Sequence, residues 1–318
     1  MAARITRRVF GFLMAAGIIG AVAGADGLRN AAGQGLPGAV AAVQEGAGHL
    51  FACADYTGGK VFVVNGQGKV EWEMAAKTCN DVWVLKNGNL LFNDGKTAKE
   101  VTREKKVVWE YDGASSIYAV QRLADGNTFV GECEGARLLD VDPEGRIVHE
   151  IKLPVPAARE AAGYMRNARK LESGNYLVAH YGAQVVREYD PAGKVVWEVK
   201  AAGGPHSCIR LATGNTLIAC ADAGGLPGRV FEVDKEGKTV WEVKGEDLPG
   251  VSLKFMTGLE RLANGNTVMT NWQGHGALGR TADIIEVTPE KKVVWTFFDH
   301  ATMKTVSSVF LMDGQGEH

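Results

Sequence analysis

Gly193-Lys194-Val195-Val196-Trp197-Glu198 is one copy of a stretch that recurs along the whole chain. The other copies are Gly68-Lys69-Val70-Glu71-Trp72-Glu73, Lys105-Lys106-Val107-Val108-Trp109-Glu110, Gly145-Arg146-Ile147-Val148-His149-Glu150, Gly237-Lys238-Thr239-Val240-Trp241-Glu242 and Lys291-Lys292-Val293-Val294-Trp295-Thr296. Their Trp or His positions are spaced by 37, 40, 48, 44 and 54 residues. A second motif is interleaved with the first: Leu85-Lys86-Asn87-Gly88-Asn89, Leu123-Ala124-Asp125-Gly126-Asn127, Leu171-Glu172-Ser173-Gly174-Asn175, Leu211-Ala212-Thr213-Gly214-Asn215 and Leu262-Ala263-Asn264-Gly265-Asn266. A last copy, Leu311-Met312-Asp313-Gly314, stands alone near the C-terminus.

Between these punctuation marks the chain alternates short β-branched runs with turn residues, which reads as four strands per repeat. In the third repeat the strands are expected at 116–123, 127–132, 136–142 and 146–152. Asp-Gly-Asn makes the first hairpin, since Gly and Asn tolerate positive φ. Four-stranded repeats of about 40 residues read as a β-propeller. The expected fold class is therefore all-β: a six-bladed β-propeller with four antiparallel strands per blade. The N-terminal copy (His49–Asp55, Lys60–Asn65, Gly68–Glu73) lacks an inner strand, and Val306–Asp313 is an inner strand with nothing after it. Joining the two would close the ring and leave no open sheet edge. The recurrent Trp is expected to pack between blades, and His149 in that column is expected to be structural.

Composition agrees with such a chain. Glycine is abundant, 41 residues against 9 prolines in 318, as many tight turns require. Lys+Arg 35 against Asp+Glu 37 leaves a net charge of −2 and no basic surplus for nucleic acid. Residues 1–23 read as an export signal: Arg4, Arg7 and Arg8 precede an apolar run from Val9 to Val22, with Ala21-Val22-Ala23 as a small-residue cleavage site. Thr6-Arg7-Arg8-Val9-Phe10-Gly11-Phe12 is similar to a twin-arginine signal. The run is too short for a permanent span, so the chain is expected to be periplasmic or secreted. Losing the three arginines would take the net charge from −2 to about −5. Residues 24–48 read as an Ala/Gly-rich tether, and 49–318 as the propeller. The five cysteines cannot all pair within one chain; Cys208 with Cys220 and Cys53 with Cys79 are candidate pairs, with buried free thiols the alternative.

Loop lengths distinguish the two faces of the ring. Turns between strands one and two are all tight, whereas 153–164, 244–254, 272–282 and 299–305 are long, and variable loops on a rigid scaffold carry binding. Two columns reach that face. Strand-one starts give Asn80/Asp81, Tyr118/Ala119, Arg166/Asn167, His206/Ser207, Thr257/Gly258 and Val306/Ser307; strand-two ends give Cys53, Asp94, Glu132, His180, Cys220 and Asn271. Candidate ligand-binding residues are Asn80, Asp81, Tyr118, Asn167, Ser207, Asp94, Glu132, Asn271 and Trp272. Arg166, His180 and His206 form the richest cluster: Arg grips an anion bidentately and His moves a proton near neutrality. Asp94, Glu132 and His180 could also hold a divalent cation. Arg122, Lys170, Arg210 and Arg261 recur at the other end of strand one, where pairing with acidic turn residues is expected. Trp272 and His275 could make a sugar-stacking lip.

The alternation of Gly-Lys-Val-Val-Trp-Glu with Leu-x-x-Gly-Asn-Thr over residues 49–314 resembles the PQQ-like repeat propellers of bacterial envelopes. Pro205-His206-Ser207-Cys208-Ile209-Arg210-Leu211 resembles the inner-strand motif of arylsulfotransferase-like propellers. That second resemblance implies a His that accepts a sulfuryl group: His206 by position, supported by Arg166 and His180. Six blades and no quinone-clamping set make a bound quinone improbable, so no cofactor is expected. The first functional expectation is an exported, monomeric, non-catalytic propeller that binds an anionic small molecule or glycan at its channel mouth. The alternatives are a sulfotransferase-like or polysaccharide-lyase-like enzyme at the same site, with Tyr118 and Tyr164 available, and an envelope assembly scaffold.

Overall fold

The computed structural model describes residues 48–154, 164–221, 227–314 and 316–318. The expected signal and nearly all of the expected tether lie outside the described residues. The described chain is all-β apart from one short 3-10 turn at Gly245–Asp247, and no described helix is long and apolar enough to cross a membrane.

Strands form as antiparallel four-stranded groups in sequence order. The second group is β4 (Val82–Val84), β5 (Leu90–Asp94), β6 (Thr97–Val101) and β7 (Val107–Tyr111). The third is β8 (Ile117–Arg122), β9 (Thr128–Glu132), β10 (Arg137–Val141) and β11 (Ile147–Lys152). The fourth is β12 (Ala168–Lys170), β13 (Tyr176–His180), β14 (Val185–Tyr189) and β15 (Val195–Lys200). A nine-stranded sheet holds two more groups: β16 (Gly204–Arg210), β17 (Thr216–Ala221), β18 (Arg229–Val233), β19 (Thr239–Lys244), then β20 (Phe255–Leu262), β21 (Thr267–Trp272), β22 (Ile284–Val287), β23 (Val293–Phe297). A single residue pair, Ala221 with Phe255, links those two groups. The first group is mixed: β24 (Val306–Leu311) pairs with β1 (Phe51–Asp55), followed by β2 (Lys60–Val64) and β3 (Val70–Ala75). A short β25 (Gly316–Glu317) adds to β20.

The two sequence motifs have distinct physical roles. The hairpin glycine takes the left-handed conformation, φ +90° at Gly126 and +87° at Gly214, where a side chain would be strained. The asparagine after it serves another purpose: Asn89, Asn175, Asn215 and Asn266 donate Nδ2 to Glu100, Glu188, Glu232 and Glu286 on the third strand of their own group. Three of these glutamates then accept an arginine from the following group, Arg122, Arg210 and Arg261 respectively, at 2.7–2.8 Å. Lys170 pairs likewise with Asp140. The basic column thus pairs with strand carboxylates of the preceding group rather than with turn residues. At the last interface His49 takes the arginine's place, with Nε2 2.9 Å from Glu286.

The recurrent Trp makes the reciprocal tie. Trp72, Trp109, Trp197 and Trp241 each donate Nε1 to a carbonyl in the turn of the next group, at Arg103, Asp142, Lys235 and Pro289. Arg122, Arg210 and Arg261 lie over the rings of Trp109, Trp197 and Trp241. His149 stacks on Tyr176 of the next group at 6.0 Å. Replacing Trp241 by Phe keeps the packing and removes the bond to Pro289, so a loss of about 1 kcal/mol is expected in chemical denaturation; no change in midpoint would deny that bond a role.

The seam where the first group meets the last is sensitive to pH. The Glu286 carboxylate holds His49 above its usual pKa, with Asp313 adding to the effect. Beside them burial pushes Glu260 up to about 7, although its carboxylate accepts the Leu311 N–H. Both folded-state values are raised, so the Glu260 contribution is lost as pH rises from about 4.5 to about 7, and the His49 contribution as pH rises past about 6.5. The thermal midpoint is expected to fall by a few degrees between pH 6 and pH 8, and His49→Gln to flatten that slope. An equally steep slope in the variant would remove His49 from the account.

Candidate functional site

A cavity of about 260 Å³ opens where the inner strands begin, lined by Tyr56, Asn80, Tyr118, Arg166, His206, Phe255, Thr257, Trp272, His275 and Ser307. All six groups contribute to it. The local backbone explains why these side chains arrive there. Tyr118 lies between the paired residues Ile117 and Ala119, and His206 between Pro205 and Ser207, in each case at a register shift. Thr257 falls in the same kind of break on β20, and Ser307 on β24. A bulged residue leaves the ladder and its side chain is re-aimed; here the bulges aim four side chains into the cavity. Asn80 is held by the Asn93 side chain, which accepts its backbone N–H at 2.7 Å.

Arg166 supplies permanent charge to the cavity, and no Asp, Glu or Lys is among the described lining residues. Its guanidinium lies 4.9 Å from the Tyr118 ring centre and 5.0 Å from that of Tyr181. Among the described residues Arg166 forms no ion pair, whereas Arg122, Arg137, Arg169, Arg187, Arg210, Arg229 and Arg261 each have a carboxylate partner. Burial, with the Arg166 charge nearby, lowers His206 to about 3, so the imidazole is neutral at pH 7. Its Nδ1 is buried without a hydrogen-bond partner. Burial raises Tyr118 to about 12, which keeps the phenol protonated.

Of the twelve candidates read from the sequence, Asn80, Tyr118, Arg166, His206 and Trp272 line the cavity, and seven do not. Asp81 is buried beneath it in a two-pronged pair with Arg169, at 2.7 and 3.0 Å. Asn167 and Ser207 are buried one residue past Arg166 and His206. His180 is buried against Tyr189, whose hydroxyl lies 2.8 Å from Nε2, and burial lowers it to about 3. Asp94 accepts the Lys77 N–H and pairs with Lys99; Glu132 holds Ser115 and Arg137; Asn271 holds the backbone at Ser252, Lys254 and Ala282. The strand-two ends are polar because they staple the incoming loops, which need partners for their own backbone groups. Asp94, Glu132 and His180 are therefore separately engaged, and no group of three His, Cys, Asp or Glu among the described residues could hold a metal ion.

Tyr56, Phe255 and Tyr181 were missed. Tyr181 sits one residue past the strand-two column, as Trp272 does, on the opposite side of the strand, so a shift of one position would have exposed it. All five cysteines are free and buried. Burial raises Cys208 and Cys220 to about 12, which makes them unreactive thiols.

Several solved structures share this architecture. A protein of unknown function from Bacteroides caccae is 27% identical, with a TM-score of 0.73 over 82% of this chain and 98% of that one. Streptogramin B lyase is 12% identical, with a TM-score of 0.55 over 82% of this chain and 87% of its own. The WD40 β-propeller domain of Doa1 is 14% identical, with a TM-score of 0.57 over 86% and 87%. With the repeated four-stranded groups, these likenesses make the fold a β-propeller. The model of the Mal s 1 allergenic protein-like family matches residues 42–292, and the chain belongs to that family. No curated protein matches the chain.

Proposed function

We propose that this chain is an exported six-bladed propeller that binds an anionic small molecule or glycan at the channel mouth without transforming it. Six four-stranded groups and the pairing of β24 with β1 support the closed ring. The observation that carries the binding reading is Arg166, held in a cavity with no carboxylate lining and making no ion pair among the described residues. Leaving a guanidinium partly desolvated and unpaired is costly, and an anionic ligand offsets that cost. Export rests on the sequence of residues 1–23.

The test is a thermal-shift screen of sulfated aryl compounds, uronate oligosaccharides, divalent metals and quinones, run beside Arg166→Gln. An anion at a hundred times its Kd adds about 2.7 kcal/mol to the folded state. A shift of several degrees is expected, and it should vanish in the variant. A shift that survives Arg166→Gln would place the ligand elsewhere.

A second reading makes the site an enzyme, and one observation favours it: the neutral His206 imidazole lines the cavity with Tyr118 and Arg166, and its Nδ1 has no hydrogen-bond partner. That lone pair suits sulfuryl acceptance, as in the arylsulfotransferase-like propellers, or proton abstraction in an elimination of the kind that names streptogramin B lyase. On that reading His206→Ala abolishes turnover with the fold intact; a chain that turns over none of these substrates is a binder.

A further inference from the structure

The cavity has one charged corner and one aromatic wall, and the two are continuous. Tyr181, which lies under Arg166, stacks on Phe255 at 5.9 Å and 25°. Phe255 meets Trp272 at 5.1 Å and His275 at 5.6 Å, and Tyr56 meets Trp272 at 6.2 Å. Two glycines keep the wall in place. A Cβ at Gly204 would fall 2.4 Å from the Tyr181 ring, and one at Gly274 would fall 1.8 Å from the Trp272 ring. The wall is therefore built by close backbone approach rather than by loose packing.

Three polar side chains of the lining are already engaged by the protein. Asn80 Nδ2 donates to the Thr78 carbonyl, the Thr257 hydroxyl lies 2.6 Å from that of Thr270, and the Ser307 hydroxyl donates to the Cys79 carbonyl at 2.7 Å. A sugar brings many hydroxyls that each need a partner on leaving water, whereas these three side chains already spend a bond on the protein. The described lining residues include one guanidinium and no lysine, which suits one negative charge rather than several. About 260 Å³ admits one or two fused rings.

We infer that the cavity selects a small aromatic monoanion, a flat ring system bearing a single carboxylate or sulfate group, over uronate sugars and inorganic anions. The anionic group would meet Arg166, with the ring seated along Phe255 and Trp272. This selection rests on the anion-binding reading above.

Isothermal titration of the full chain at pH 7 with 2-naphthoate, cyclohexanecarboxylate, glucuronate, inorganic sulfate and neutral 2-naphthol tests it. The 2-naphthoate ion is expected to bind at least about tenfold more tightly than each of the others, a difference typical of aromatic contacts in a desolvated site. Gly274→Ala should cut 2-naphthoate affinity about tenfold by displacing Trp272. Trp272→Ala is the companion variant should the glycine change disturb the loop. Equal affinity for glucuronate or sulfate would overturn the aromatic selection and leave anion binding standing. Equal affinity for 2-naphthol would overturn the role of charge. No binding of any anion by the folded chain would overturn both readings.

Discussion

Replacing Asp81 by alanine is expected to destabilise the chain by about 3–5 kcal/mol, the cost of leaving a buried charge without its partner. Asp81 is fully buried, and its carboxylate takes two bonds from Arg169 and one from the Val120 N–H. Arg169 is itself 4% exposed and lies 5.0 Å over the Trp83 ring. Asp81 immediately precedes β4, Val120 lies within β8 and Arg169 within β12, so the pair ties the second, third and fourth groups together. Removing the carboxylate alone leaves a guanidinium with no water and no counter-charge. The double change Asp81→Leu with Arg169→Met should recover most of the loss, because apolar residues of similar volume often replace a buried pair without penalty. Urea denaturation of the three proteins decides it. A loss below about 1 kcal/mol for Asp81→Ala would mean that water reaches Arg169 and that the pair contributes little.

Asp81 also shows where the sequence could be read and where it could not. The strands of the third group were expected at 116–123, 127–132, 136–142 and 146–152, and β8 to β11 lie within one residue of those bounds. Gly-Asn turns and β-branched runs are local signals, and local signals survive into the fold. The alignment that placed Asn80, Tyr118, Arg166 and His206 at the mouth worked for the same reason: it counted back from the Gly-Asn turn. It could not see the bulges, because a bulge inserts a residue without changing residue type. Nor could it tell which of two adjacent residues turns inward: Asp81 was joined to Asn80 as a ligand residue although its carboxylate is buried against Arg169. In the last repeat the counted position Val306 gave way to Ser307 by the same single-residue slip. The strand-two column failed differently. A polar side chain at a strand end reads alike whether it meets a ligand or a neighbouring backbone amide, and only coordinates show that Asp94, Glu132 and Asn271 meet amides.

A chain cut after Thr305 is expected to lose cooperative folding altogether. Without β24, all of β1 from Phe51 to Asp55 loses one of its two hydrogen-bonded partners and keeps only β2. Phe51, Cys53, Phe62 and Val64 lose the packing of Val306, Val309 and Leu311. The Ser307 hydroxyl, bonded to the Ala54 and Cys79 carbonyls, disappears from the junction between the first and second groups. A five-residue apolar strand with a bare edge pairs with whatever strand it meets, so size-exclusion chromatography should show association in place of a monomer. Adding a peptide that spans residues 305–314 should restore a sharp thermal transition, because the peptide brings both the missing ladder and the missing core face. A truncated chain that stays monomeric and melts within a few degrees of the intact one would show that the first group does not depend on the C-terminal strand. The groups would then be held together by their other contacts, the Trp-to-turn bonds and the Arg–Glu pairs that recur from group to group.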